Sequence, residues 1–158
     1  MLALILTNYN CYAMQTGNMI KLSDGRVLGY AEYGDSLGYP IFYFHGGQES
    51  RLSSKFMDST AKKLNIRIIS PDRPGVGIST FQENRQFLDW GSDILELADF
   101  LGLNKYSIFG LSGGAPHVLA CFISDSLRIV PVAVQFVIVL LLSATPPNPP
   151  VSEGPPQS

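Results

Sequence analysis

A chain of 158 residues, 46% of them apolar and 15% charged, with a net charge of −2, is long enough for one domain with its own core and too short for two. It contains no run of Lys or Arg to follow a phosphate backbone, so nucleic acid is not an expected partner. Its two cysteines, Cys11 and Cys121, form neither a Cys-x-x-Cys pair nor a disulfide framework, and they lack zinc-site spacing to His45 and His117.

Residues 1–16 show no period and read as an irregular amino-terminal segment. The apolar stretch from Leu2 to Leu6 has no basic lead-in and is shorter than a signal-peptide core of about 7–15 residues. With no credible leader, the cytoplasm is the default expectation. From Met19 a hairpin is predicted: Met19 to Leu22, a turn over Ser23-Asp24-Gly25-Arg26, then Val27 to Tyr33. Asp24-Gly25 supplies the positive φ that a tight turn needs. A loop over residues 34–39 leads to a short strand ending at Phe44. Ser53-Ser54 is read as the N-cap of a helix on which Phe56, Thr60 and Leu64 share a face, with Asn65 as a left-handed terminator. Residues 66–70 form a buried strand that stops at Pro71-Asp72-Arg73-Pro74-Gly75. Phe87, Trp90, Ile94, Leu97, Ala98 and Leu101 then recur at helical spacing, with Asp89 and Asp93 near the positive end and Gly102 behind. A strand over 106–109, a helix over 114–123 with Pro116 in its first turn, and a last strand within 129–142 complete the pattern. Residues 129–144 fall short of the ~20 apolar residues of a spanning helix, so membrane insertion is not expected.

The alternation predicts an α/β fold: a mostly parallel sheet behind an amino-terminal antiparallel hairpin, with helices on both faces. The domain is expected over 17–144. Residues 145–158, Pro-rich and nearly without apolar side chains, are expected to be a disordered tail.

Three stretches carry chemistry. Gly110-Leu111-Ser112-Gly113-Gly114 lies between a predicted strand and a predicted helix, the context in which Gly-x-Ser-x-Gly forms a nucleophile elbow. Glycines on either side clear space for a sharp turn, and the following helix offers free amides to an oxyanion. Phe44-His45-Gly46-Gly47 follows an earlier strand, where a glycine lets backbone come close to a ligand. Asp72-Arg73-Pro74-Gly75-Val76-Gly77-Ile78-Ser79 reads on physical grounds only as a rigid turn with a charge pair available.

In their order and spacing, these stretches resemble the α/β-hydrolase fold family, in its esterase and proline-iminopeptidase-like branch, over roughly residues 19–123. The resemblance implies Ser112 as nucleophile and the backbone amides of Gly113 and Gly47 as an oxyanion hole. It implies acyl transfer from a small ester, thioester or peptide substrate, with no cofactor. Gln48-Glu49 stand where many relatives have Pro-Gly, and Glu49 is expected to reshape the loop that carries Gly47.

In this fold the triad acid and histidine follow the serine. The only histidine after Ser112 is His117, five positions along the elbow helix and expected to point away from the hydroxyl. Asp125 and Glu153 have no histidine to orient. The expectation is therefore a truncated hydrolase, cut after the elbow helix and one further strand and inactive as this chain alone. It is also expected to self-associate through an exposed sheet edge. The alternatives are a non-catalytic fragment acting by interaction and a fragment tethered to membrane by residues 129–144.

Overall fold

Asp24 and Gly25 reverse the chain as their types demand: Gly25 takes φ 90°, and Leu22 and Arg26 close the loop through an amide–carbonyl bond of 2.8 Å. The computed structural model describes residues 17–130. Cys11, the apolar run beyond Val130 and the Pro-rich tail lie outside the described residues.

Strand β1 (Asn18–Lys21) pairs antiparallel with β2 (Val27–Gly34), which pairs antiparallel with β4 (Ile66–Pro71). Strands β3 (Tyr39–Phe44) and β5 (Ser107–Gly110) run parallel to β4 and to each other, and the sheet order is β1-β2-β4-β3-β5. The result is a mixed five-stranded α/β sheet, as the alternation predicts. Helix α1 (Asp58–Lys63) connects β3 to β4, α2 (Asp89–Phe100) connects β4 to β5, and α3 (Ala115–Asp125) follows β5.

The two faces differ. Phe42 and Phe44 of β3 and Ile108 of β5 pack with Trp90, Ile94 and Leu97 of α2 and Val118 and Cys121 of α3. Trp90 and Phe44 meet edge to face with ring centres 5.4 Å apart. Burial raises the Cys121 thiol well above its ordinary pKa, so it behaves as a small apolar core group. On the opposite face Tyr43 and Ile68 meet Ala61 of α1. That face keeps an open apolar groove of about 420 Å³, lined by Ile41, Tyr43, Ile68 and Phe109 of the sheet and by Phe56 and Leu64.

One sequence expectation changes and two gain detail. The first helix is capped by Ser50, not by Ser53-Ser54: the Ser50 side chain accepts from the Leu52 amide and starts a 3-10 turn over Arg51–Met57 before α1. Phe56 and Leu64 share a face as expected, but they line the groove and remain 74% and 61% exposed. Asp93 is buried and takes a two-pronged contact from Arg26 of the hairpin, at 2.6 and 3.1 Å. It joins the hairpin to α2 instead of serving the helix end. Of the last predicted strand only the start is described. Ile129 bridges Tyr106 in parallel, and the Val130 amide donates to Tyr106 at 2.9 Å, beside the outer edge of β5.

Candidate active site

The sheet order decides where a site can form. From β3 the chain moves to β4 on one side, then returns past β3 to β5 on the other. The loops leaving β3 and β5 therefore part to opposite faces, the arrangement that in open α/β sheets makes a crevice at the carboxyl ends of the strands. Phe44 and Gly110 are register partners, so the turns after them emerge side by side.

The turn after β5 is Leu111-Ser112-Gly113-Gly114. Leu111 stays extended, and its amide donates to Phe44 at 3.0 Å. Ser112 takes φ 49°, a left-handed conformation that an L residue adopts only when its surroundings impose it. The Gly114 amide closes the turn on the Leu111 carbonyl at 2.7 Å, and α3 begins at Ala115. Two glycines make this possible by clearance. A Cβ on Gly110 would lie 2.5 Å from the Gly114 oxygen, and one on Gly114 would lie 2.1 Å from the Phe44 oxygen. Ser112 itself is exposed at the crevice.

The turn after β3 comes up against this elbow. A Cβ on Gly113 would sit 3.1 Å from the Gly47 nitrogen and 3.2 Å from its Cα. Among the described residues, no acceptor takes the N–H of Gly47 or of Gly113. Glu49 folds back within the turn, its carboxylate accepting from the Gly46 amide at 2.8 Å. It closes the loop through its side chain and so staples the conformation that carries Gly47.

Neither histidine hydrogen-bonds Ser112. His45 is buried with Nδ1 2.9 Å from the Gly46 carbonyl, and burial holds its pKa below the ordinary value. His117 places Nδ1 3.1 Å from the Gly113 carbonyl and its ring against Phe87 and Trp90. Burial, reinforced by the positive charges of Arg73 and Arg85, lowers its pKa to about 4, so it is neutral at pH 7.

Sequence reasoning missed Arg73. Its Nη2 donates to Gly46 at 2.6 Å and to Gly47 at 3.3 Å, and its Nη1 to His45 at 3.1 Å and to Gly113 at 3.3 Å. It makes no ion pair with a described residue, and burial lowers its pKa. Its neighbour Asp72 is fully buried and accepts from the Arg51 amide and Arg51 Nη1, each at 2.7 Å, and from the Ile78 amide at 3.1 Å. The 72–79 turn does not hold its charge pair within itself: Asp72 pairs with Arg51 outside it, and Arg73 reaches across both other turns. The available signal was a cation held between a buried acid and Pro74.

No protein-family model matches the chain, and none of the curated proteins matches it. Solved structures do. A hydrolase from Pseudomonas aeruginosa superimposes on 72% of this chain and 43% of its own with TM-score 0.65 and 22% identity. The thioesterase domain of the curacin biosynthetic pathway does so on 72% and 43% with TM-score 0.63 and 19% identity. An epoxide hydrolase from Vigna radiata covers 71% and 34% with TM-score 0.59 and 21% identity. This is the α/β-hydrolase fold. The chain spans less than half the length of these three neighbours. Within the α/β-hydrolase fold the described residues supply the hairpin, the five elements β3, α1, β4, α2 and β5, and the helix after Ser112.

Proposed function

We propose that this chain carries the nucleophile half of a serine-hydrolase site, built for acyl transfer from a small ester, thioester or peptide substrate. Ser112 is the nucleophile, and the amides of Gly113 and Gly47 receive the oxyanion. The observation that carries this reading is the pairing of a left-handed Ser112 with two N–H groups, in touching turns, that no acceptor among the described residues takes. Donors set in advance at a developing negative charge form the strongest single element of acyl-transfer catalysis. A serine at this position also supports acyl transfer over the chemistry of the neighbouring epoxide hydrolase, which opens a ring without an acyl group.

Turnover needs a base, and neither His45 nor His117 is placed to take the Ser112 proton. The chain by itself therefore reacts only slowly and with strong electrophiles, the Ser112 proton passing to solvent as the leaving group departs, and does not turn over esters. The missing base favours a second reading, a non-catalytic protein acting by interaction. A fluorophosphonate probe separates the two, because phosphonylation draws on the oxyanion donors and releases a good leaving group. A Ser112 adduct seen by intact mass and peptide mapping, absent in Ser112→Ala, is the expected result. No adduct, or an adduct that survives the substitution, supports the interaction reading. No nucleic acid, cofactor or membrane enters either reading.

A further inference from the structure

We infer that Arg73 is the positioning residue of the oxyanion hole, holding the peptide plane that aims the Gly47 amide. This deepens the reading of Ser112 and rests on it. The Gly46 oxygen and the Gly47 N–H belong to one peptide unit, and every described peptide bond is trans. In a trans unit these groups point in opposite directions, so whatever holds the oxygen sets the direction of the N–H. Arg73 holds that oxygen at 2.6 Å, the shortest of its contacts, with His45 Nδ1 at 2.9 Å and the Glu49 amide at 3.4 Å beside it. The remaining donor positions of the same fork reach the carbonyls of His45, Gly47 and Gly113. One planar group therefore joins the turn after β3 to the turn after β5, which fixes the separation of the two oxyanion donors.

The fork is the reason for arginine. A guanidinium presents five N–H donors in a fixed plane, whereas an ammonium is a compact charge on a flexible stem. Four carbonyls spread over two loops match the first and not the second. Arg73 is free for this task because its neighbour Asp72 is already engaged by Arg51. The positive charge also lies behind the place where negative charge would develop.

The full chain and its Arg73→Lys and Arg73→Met variants test the inference by two measurements. Backbone relaxation reports the order of the Gly47 amide, and the concentration dependence of fluorophosphonate labelling separates the maximal rate at Ser112 from probe binding. In both variants the Gly47 order parameter is expected to fall from about 0.85 toward 0.6. The maximal labelling rate is expected to fall about tenfold or more with probe binding unchanged, short of the ~10²–10³ lost with a whole donor. Resonances of the hairpin and α2 serve as the check that each variant is folded. A Gly47 order parameter still near 0.85, with a maximal labelling rate within twofold of the parent, in both variants would overturn the inference. A lysine variant that behaves like the parent would overturn the fork and leave only charge. If the parent gives no Ser112 adduct, the serine-hydrolase reading fails, and the Gly47 order parameter alone decides whether Arg73 holds this peptide plane.

Discussion

Asp72 offers the sharpest test of how this site is held. Its carboxylate is fully buried and accepts two backbone amides and the Arg51 guanidinium. In Asp72→Asn one oxygen becomes an NH2 that faces donors, and the Arg51 charge loses its buried counter-charge. Removing one partner of a buried pair costs about 3–5 kcal/mol. That is about a fifth or more of the ~5–15 kcal/mol that stabilises an ordinary domain. Arg51→Met is expected to cost a similar amount, because the carboxylate stays buried with only amide donors. The double variant should be less unstable than the sum of the two, since it no longer buries an unpaired charge. Some cost should remain from the amides of Arg51 and Ile78, at about 1–3 kcal/mol for each unsatisfied group. Urea denaturation of the four proteins, fitted with a common slope, gives the cycle. Single losses under about 1 kcal/mol that simply add would refute the idea that this pair holds the turn.

Gly114→Ala should cost about 1–3 kcal/mol, because its Cβ would meet the Phe44 oxygen at 2.1 Å and force strand and helix apart; a variant as stable as the parent in urea would contradict the clearance argument. His117 takes its proton at about 4 in the folded chain and near 6.5 when unfolded. The unfolded state therefore holds more protons between those values, and stability falls as pH drops from about 6.5 to 4. The ceiling is about 3 kcal/mol, reduced to about 1–2 by partial exposure of the ring. His117→Gln should flatten that part of the stability–pH curve, and an unchanged slope would exclude His117 as its source. The apolar groove beside Phe56 and Leu64 is proposed to drive self-association. Phe56→Glu with Leu64→Lys, both at exposed positions, should move sedimentation toward monomer, and an unaltered distribution would place the contact elsewhere.

Much of this protein was readable without coordinates because its signals are local. The turn at Asp24-Gly25, the stripe from Trp90 to Ala98, and Asn65 at φ 53° each depend on a few neighbouring residues. The elbow is similar, since Gly110 and Gly114 are required by the close approach of a strand to the helix that immediately follows. Local signals misled where partners are distant. Ser53-Ser54 looks like a cap as much as Ser50 does, and only the docking of Arg51 on Asp72 selects the earlier start. Asp93 looks like a helix-end acid until Arg26, 67 residues away, reaches it.

The sequence by itself determined the tight turn at Ser112, because Gly110 and Gly114 lie where the strand and the following helix approach. The tertiary structure decided what surrounds that serine. The sheet order puts the β3 and β5 turns side by side, which brings Gly47 to Gly113. The buried Asp72–Arg51 pair then frees Arg73 to bind four carbonyls across both turns. No spacing rule encodes those contacts, because hydrogen bonds between loops depend on how the sheet folds rather than on separation along the chain.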